Sequence, residues 1–125
     1  MAWLAVAVGG ALGSALRHAV NHTIAAHWIA ARFPAGTTAV NLTGCLVIGL
    51  LAGLIAGDRL QLPLHSREFI FVGLLGGFTT FSSFGLEALT LARTGAVSMA
   101  LVYVAIQVVG GLALVAAGYW FGVGR

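Results

Sequence analysis

The chain has 125 residues, 60% of them hydrophobic and only 7% charged, with a formal net charge of +3. A soluble domain carries about 25% charged residues, so the composition excludes an ordinary water-soluble globule and points to a membrane protein. Its six basic residues are arginines scattered along the chain, which excludes a nucleic-acid footprint; no nucleophile paired with a base, metal-ligand cluster or phosphate loop suggests an enzyme.

A membrane span needs about 20 mostly apolar residues. Charge, proline and histidine divide the sequence into four such spans, at about 2–30, 37–57, 68–92 and 97–122, which together make a single all-α transmembrane domain over 1–125. The first span lacks the basic start and early polar boundary of a secretory signal, and Arg17 interrupts it, so it is read as retained. Arg17 itself reads as an interfacial anchor or as the partner of an acid. His18 and His22 have the helical spacing of metal ligands, but no carboxylate or cysteine accompanies them, and with His27 they are read as interfacial.

The second span carries Asn41 between Val40 and Leu42. An asparagine there offers two amide donors to a ligand or serves as glue between helices. Cys45, the one cysteine, lies in an apolar run and reads as a buried, inert thiol. Glycines recur at four-residue spacing in all four spans: Gly9 and Gly13; Gly49, Gly53 and Gly57; Gly73 and Gly77; Gly118 and Gly122. That spacing puts each set on one helix face, where it permits close helix contact.

The third span contains GGFTTFSSF, residues 76–84. The adjacent Gly76 and Gly77, followed by Thr79 and Thr80, disfavour a continuous helix, and the hydroxyls compete for backbone hydrogen bonds. A break at the centre of the span is expected. Irregular backbone at membrane depth is tolerated only where it is buried in protein or lines a polar cavity, so the stretch reads as a site, with an aromatic-filled hinge as the plainer alternative. Thr79, Thr80, Ser82 and Ser83 bring hydroxyl donors, while Phe78, Phe81 and Phe84 fall at three-residue intervals and can share a face. Positive ring edges beside hydroxyl donors suit an anion. Glu87, the acid nearest to them, reads as a proton carrier or gate, or as a carboxylate hydrogen-bonded to its neighbours.

Four helices enclose little space by themselves, so a homo-oligomer is expected. With four spans, Arg59, Arg67 and Arg125 fall on one side and Arg32 and Arg93 on the other. This near balance lets the chain insert either way up under the positive-inside rule.

Taken in order, GGALGSALR at 9–17, GTTAVNLTG at 36–44 and GGFTTFSSF at 76–84, followed by Glu87, resemble the Fluc (CrcB) family of fluoride channels over essentially the whole chain. The resemblance implies an antiparallel, dual-topology homodimer in the bacterial inner membrane, with the third helix broken. It also implies two fluoride pathways and a structural sodium ion at the dimer centre. On matching positions, Phe81 and Phe84 are the aromatic pair of the pathway, Asn41 its amide, and Ser82 and Ser83 hydroxyls near it. Gly76 and Thr79 supply sodium-binding carbonyls, Arg17 attracts anions at a pore mouth, and Glu87 and Tyr103 belong to the pathway. Family members often carry serine a turn or two beyond Tyr103, where this chain has Gln107 and Gly111. The implied activity is passive export of fluoride. The competing class is a small dual-topology exporter that exchanges protons for cationic drugs, which needs a membrane acid; Glu87 is the only acid away from the ends of the four spans, Glu68 standing at the start of the third.

Overall fold

The computed structural model describes residues 2–27 and 32–124 and is all-helical over them. Four helices are long and apolar enough to cross a membrane: α1 (Ala2–His27), α2 (Ala35–Ala56), α3 (Leu64–Arg93) and α4 (Val97–Val123). Arg125 and the last residues of the expected first span lie outside the described residues. The third helix starts directly after Pro63, whose extended backbone (φ −56°, ψ 154°) occupies the N-cap position; proline needs no helical donor at such an end.

The loops close with local backbone chemistry. After α3, Gly95 adopts φ 83°, and the amides of Gly95 and Ala96 bond Ala92 O and Leu91 O. This is the Schellman arrangement that satisfies the last helical carbonyls. After α2, Asp58 holds the equivalent position with φ 54°, and Arg59 Nη1 reaches across to donate to Gly122 O at 3.1 Å, at the end of α4.

The helices associate as two tight pairs, α1 with the first half of α3 and α2 with α4. Both pairs are built on the glycine tracks. A Cβ at Gly9 would lie 2.5 Å from Phe69 O and one at Gly77 2.6 Å from Gly10 O, while Gly13 faces Leu74 O. In the second pair, a Cβ at Gly118 would lie 2.5 Å from Leu46 O and one at Gly122 2.5 Å from Leu50 O; Gly49 and Gly53 face Val115 O and Tyr119 O. Lipid chains are as apolar as leucine, so membrane helices gain by close packing rather than by the hydrophobic effect, and glycine supplies that approach. The second half of α3 packs instead on the start of α4, through a buried cluster of Phe84, Leu91, Ala100 and Tyr103.

Two stretches are wound more loosely, as π-helix: Glu68–Leu75 in α3 and Ile106–Gly110 in α4. Helix α3 is broken between Phe78 and Phe81. Thr79 (φ −80°, ψ 160°) and Thr80 (φ −153°, ψ 120°) are extended.

Candidate functional site

The break is held open by side chains. In a continuous helix Thr80 N–H would bond Gly76 O; here it donates to Asn41 Oδ1 at 2.8 Å. Asn41 Nδ2 donates in turn to Thr80 O at 3.0 Å, so one carboxamide satisfies both backbone groups of the extended residue. Ser83 N–H, which would otherwise reach Thr79 O, donates to Thr80 Oγ1 at 3.3 Å. Thr80 is therefore the N-cap of the second half of α3, its conformation and side chain both those of a capping residue. Its hydroxyl also lies 3.1 Å from Ser83 Oγ and 3.3 Å from Ser82 Oγ. The consequence is electrostatic. The carbonyls of Gly76 and Thr79 lose their usual helical partners on one side of the break, and the positive end of a new helix begins on the other.

This corrects the expected cause of the break. Gly76 has ordinary helical torsions (φ −64°, ψ −37°), and Gly77 is helical too, so unwinding starts at Thr79 rather than at the glycines. Asn41 and Thr80 do the unwinding, and Gly77 is needed for its contact with Gly10.

A second correction concerns the aromatics. The break separates Phe78 from the other two, and it lies with its ring beside Gly44. Phe81 and Phe84 remain together, ring centroids 5.3 Å apart and planes at 61°, the edge-to-face geometry aromatic pairs prefer. Phe84 is buried and tilts against Tyr103 at 5.4 Å. Phe81 is 81% exposed.

From Asn41 the polar groups continue along α4 and back to α3. Asn41 Nδ2 also donates to Gln107 Oε1 at 3.2 Å. One turn earlier on α4, the fully buried Tyr103 donates its hydroxyl to Glu87 Oε2 at 2.6 Å. Thr37 Oγ1 donates to Glu87 Oε1 at 2.9 Å. Of the two readings of Glu87, the structure shows the carboxylate held by neighbouring hydroxyls. The fold thus gathers Asn41, Thr80, Ser82, Ser83, Phe81, Phe84, Glu87 and Tyr103 around one level of the bundle. Asn41, Gly76, Thr79, Phe81, Phe84 and Gln107 help line a cavity of about 470 Å³ beside it.

Arg17 is not gathered in. It is half-buried on α1 and makes no hydrogen bond or ion pair with a described residue, the ion pair found among them being His65–Glu68 at 3.3 Å. The reading of Arg17 as the partner of an acid therefore finds no support. His18 and His22 stack with ring centroids 6.3 Å apart, and no group of three metal-ligating side chains occurs among the described residues.

From sequence Thr37 has no role, and Gln107 only that of an amide able to donate on the last helix. Thr37 precedes Asn41 by one helical turn, so a pair of polar residues on one face of an apolar helix was the available signal. Gln107 stood out as the departure from the family pattern on the last helix, but nothing in the sequence showed that it touches Asn41.

A four-span membrane protein with a broken third helix, and with hydroxyls, amides and two phenylalanines collected at the break, belongs to the class of small ion-conducting or ion-transporting membrane proteins. Residues 4–119 match the family model described as "CrcB-like protein, Camphor Resistance (CrcB)". The chain is 51% identical to the protein named "Fluoride-specific ion channel FluC" from Pseudomonas putida, over 91% of this chain and 90% of that one. It is 49% identical to the protein of the same name from Paracoccus denitrificans, over 98% and 94%, and 46% identical to that from Methylobacillus flagellatus, over 91% and 88%. The chain belongs to the CrcB-like family.

Proposed function

We infer that the protein is a fluoride channel of the bacterial inner membrane, which lowers cytoplasmic fluoride by letting the anion leave passively. The observation that carries this is near-full-length kinship, at about half identity, with proteins named fluoride-specific ion channels. The site supports it. A cavity lined by Asn41, Thr79, Thr80, Gln107 and two phenylalanines brings polar side chains and aromatic rings together without a fixed cation that would trap an anion. Fluoride is small and accepts strong hydrogen bonds, so a narrow, donor-lined path favours it over chloride. Fluoride enters acidified cells as neutral HF and is trapped as the anion, and an inside-negative potential then drives it out with about 2.3 kcal/mol per charge per 100 mV. No energy coupling and no chemical step are required.

The working unit in this reading is an antiparallel homodimer. Two features support a second copy: the cavity is open on one side of a thin protomer, and Phe81 is exposed beside it. The balanced arginines are compatible with insertion in both orientations. A sodium ion at the centre fits the donors present. Gly76 and Thr79 offer carbonyl oxygens released from their helical bonds by Asn41 and Thr80, and hard, neutral oxygen ligands suit such a cation. The ion would compensate the exposed carbonyl dipoles. Expression in a bacterium lacking its own fluoride exporter tests the proposal: growth in millimolar-range fluoride should be restored, and failure to restore it with the protein present in the membrane would count against it.

A further inference from the structure

The chain has four histidines, and two of them are engaged. His27 Nδ1 donates to Thr23 O at 2.8 Å, and His65 Nδ1 lies 3.3 Å from Glu68 Oε2. His18 and His22 are the other two. They stand one turn apart on α1, both exposed in the protomer, with ring centroids 6.3 Å apart and planes at 22°. Neither ring has a hydrogen bond or ion pair to another described residue.

The rings are clear of the contacts that hold α1 in place. Gly9 and Gly13 face α3, and Asn21, between the two histidines in sequence, brings its Oδ1 against Gly36 on α2. With a rise of 1.5 Å per residue, His22 lies about 7.5 Å and His18 about 13.5 Å from His27 along the axis, so both are within the span. Ionisable side chains there are costly in lipid and are found facing water or a partner group. The stacked pair has each other and no third group.

Chemistry narrows what such a pair can hold. Helix α1 contains no acid and no cysteine, so imidazole is the only strong metal ligand it offers. Imidazole nitrogen suits Zn²⁺, Ni²⁺ and Cu²⁺, whereas Mg²⁺ and Ca²⁺ require oxygen ligands. Two histidines at i and i+4 on one helix face supply half of a helical zinc site. Metal–nitrogen distances of about 2.0–2.1 Å bring two rings somewhat closer than they stand here, an approach that side-chain rotation alone provides. Arg17, adjacent to His18 in sequence, opposes a cation and confines the site to ions that bind imidazole strongly, with Cu²⁺ first in the divalent series.

We propose that His18 and His22 form a two-histidine clip on α1 that binds one divalent transition-metal ion of the Cu²⁺, Ni²⁺ and Zn²⁺ class, water completing the coordination. The clip shares no residue with the helix break and is independent of the fluoride-channel reading.

The test uses the full-length protein in detergent, with any histidine tag removed, and Cu²⁺, Ni²⁺, Zn²⁺ and Mg²⁺ salts as the probes. Calorimetric titration should show one Cu²⁺ per chain, and the electron paramagnetic resonance spectrum of that copper should carry the splitting of two imidazole nitrogens. Cu²⁺, Ni²⁺ and Zn²⁺ should raise the unfolding midpoint, as a ligand of the folded state does, and Mg²⁺ should not. His18→Ala and His22→Ala should each weaken Cu²⁺ binding at least tenfold. His18→Phe and His22→Phe, which keep an aromatic ring for stacking but supply no ligand nitrogen, should do the same, and they carry the test if an alanine variant does not fold. No stoichiometric binding by the wild type, or binding undiminished in the variants at both positions, would overturn the clip. Fluoride efflux from liposomes, measured on the same protein without added metal, bears on the channel reading alone.

Discussion

Asn41 and Thr80, 39 positions apart in sequence, exchange two hydrogen bonds of 2.8 and 3.0 Å, so a side chain on α2 takes the place of the helical acceptor of an N–H in the middle of α3. Everything distinctive about the site follows from that exchange. It frees the carbonyls on one side of Thr80, starts a new helix on the other, and sets Phe81 and Phe84 at the head of that helix.

Replacing Asn41 with alanine should therefore be a stability lesion as well as a functional one. It leaves the N–H of Thr80 buried without its partner, and an unpaired buried polar group costs about 1–3 kcal/mol. Thermal unfolding in detergent should show a clear drop in midpoint. An unchanged midpoint would mean that the break is held by something other than Asn41.

The two phenylalanines should separate. Phe84 is 8% exposed and packs on Tyr103, whereas Phe81 is 81% exposed in the protomer. Both isoleucine variants lose the positive ring edge, and both should conduct fluoride poorly. Phe84→Ile should also lower the unfolding midpoint, while Phe81→Ile should leave the protomer's stability close to wild type. Liposome efflux at the wild-type rate in both variants would remove the aromatic pair from the pathway.

Adjacent glycines provide a third contrast. A Cβ at Gly77 would lie 2.6 Å from Gly10 O, but one at Gly76 meets nothing closer than Phe71 O at 3.8 Å. Gly77→Ala should force α1 and α3 apart and reduce the yield of monodisperse protein; Gly76→Ala should purify normally. Equal behaviour of the two variants would mean that the α1–α3 contact does not limit folding.

How far the sequence disclosed this can be judged from the same residues. The four-residue glycine spacings were legible because helix geometry alone puts Gly9 with Gly13 and Gly118 with Gly122 on a common face. The position of the break was legible from the density of hydroxyls around Thr80. Its cause was not, since it depends on Asn41 reaching a residue in another helix, and local propensity drew attention to Gly76 and Gly77 instead. The same limit applies to Glu87. Its acceptor role depends on Thr37, 50 residues away, and on Tyr103, and no periodicity within one helix reports a contact between helices. Gln107 meets the same limit, because its bond to Asn41 joins two helices 66 positions apart in sequence.

The released carbonyls of Gly76 and Thr79 lead to an ionic prediction. If two protomers share a sodium ion there, purification with a large organic cation in place of sodium should weaken the dimer or abolish conduction. Exchange of bath sodium alone should have little effect where the ion is slow to leave. Thr79→Ala should be mild in either case, because the carbonyl rather than the hydroxyl is the ligand. A dimer of undiminished stability and conduction after sodium-free purification would remove the ion from the account.

Passive, potential-driven fluoride conduction is read out most directly by fluoride release from proteoliposomes. Vesicles loaded with potassium fluoride are diluted into fluoride-free medium, and release is followed with a fluoride electrode after a potassium ionophore is added to collapse the opposing potential. A passive fluoride channel gives fast release that depends on the ionophore and is not matched by chloride in a parallel loading. Retention of fluoride until the vesicles are dissolved with detergent, or equal release of chloride, would contradict it.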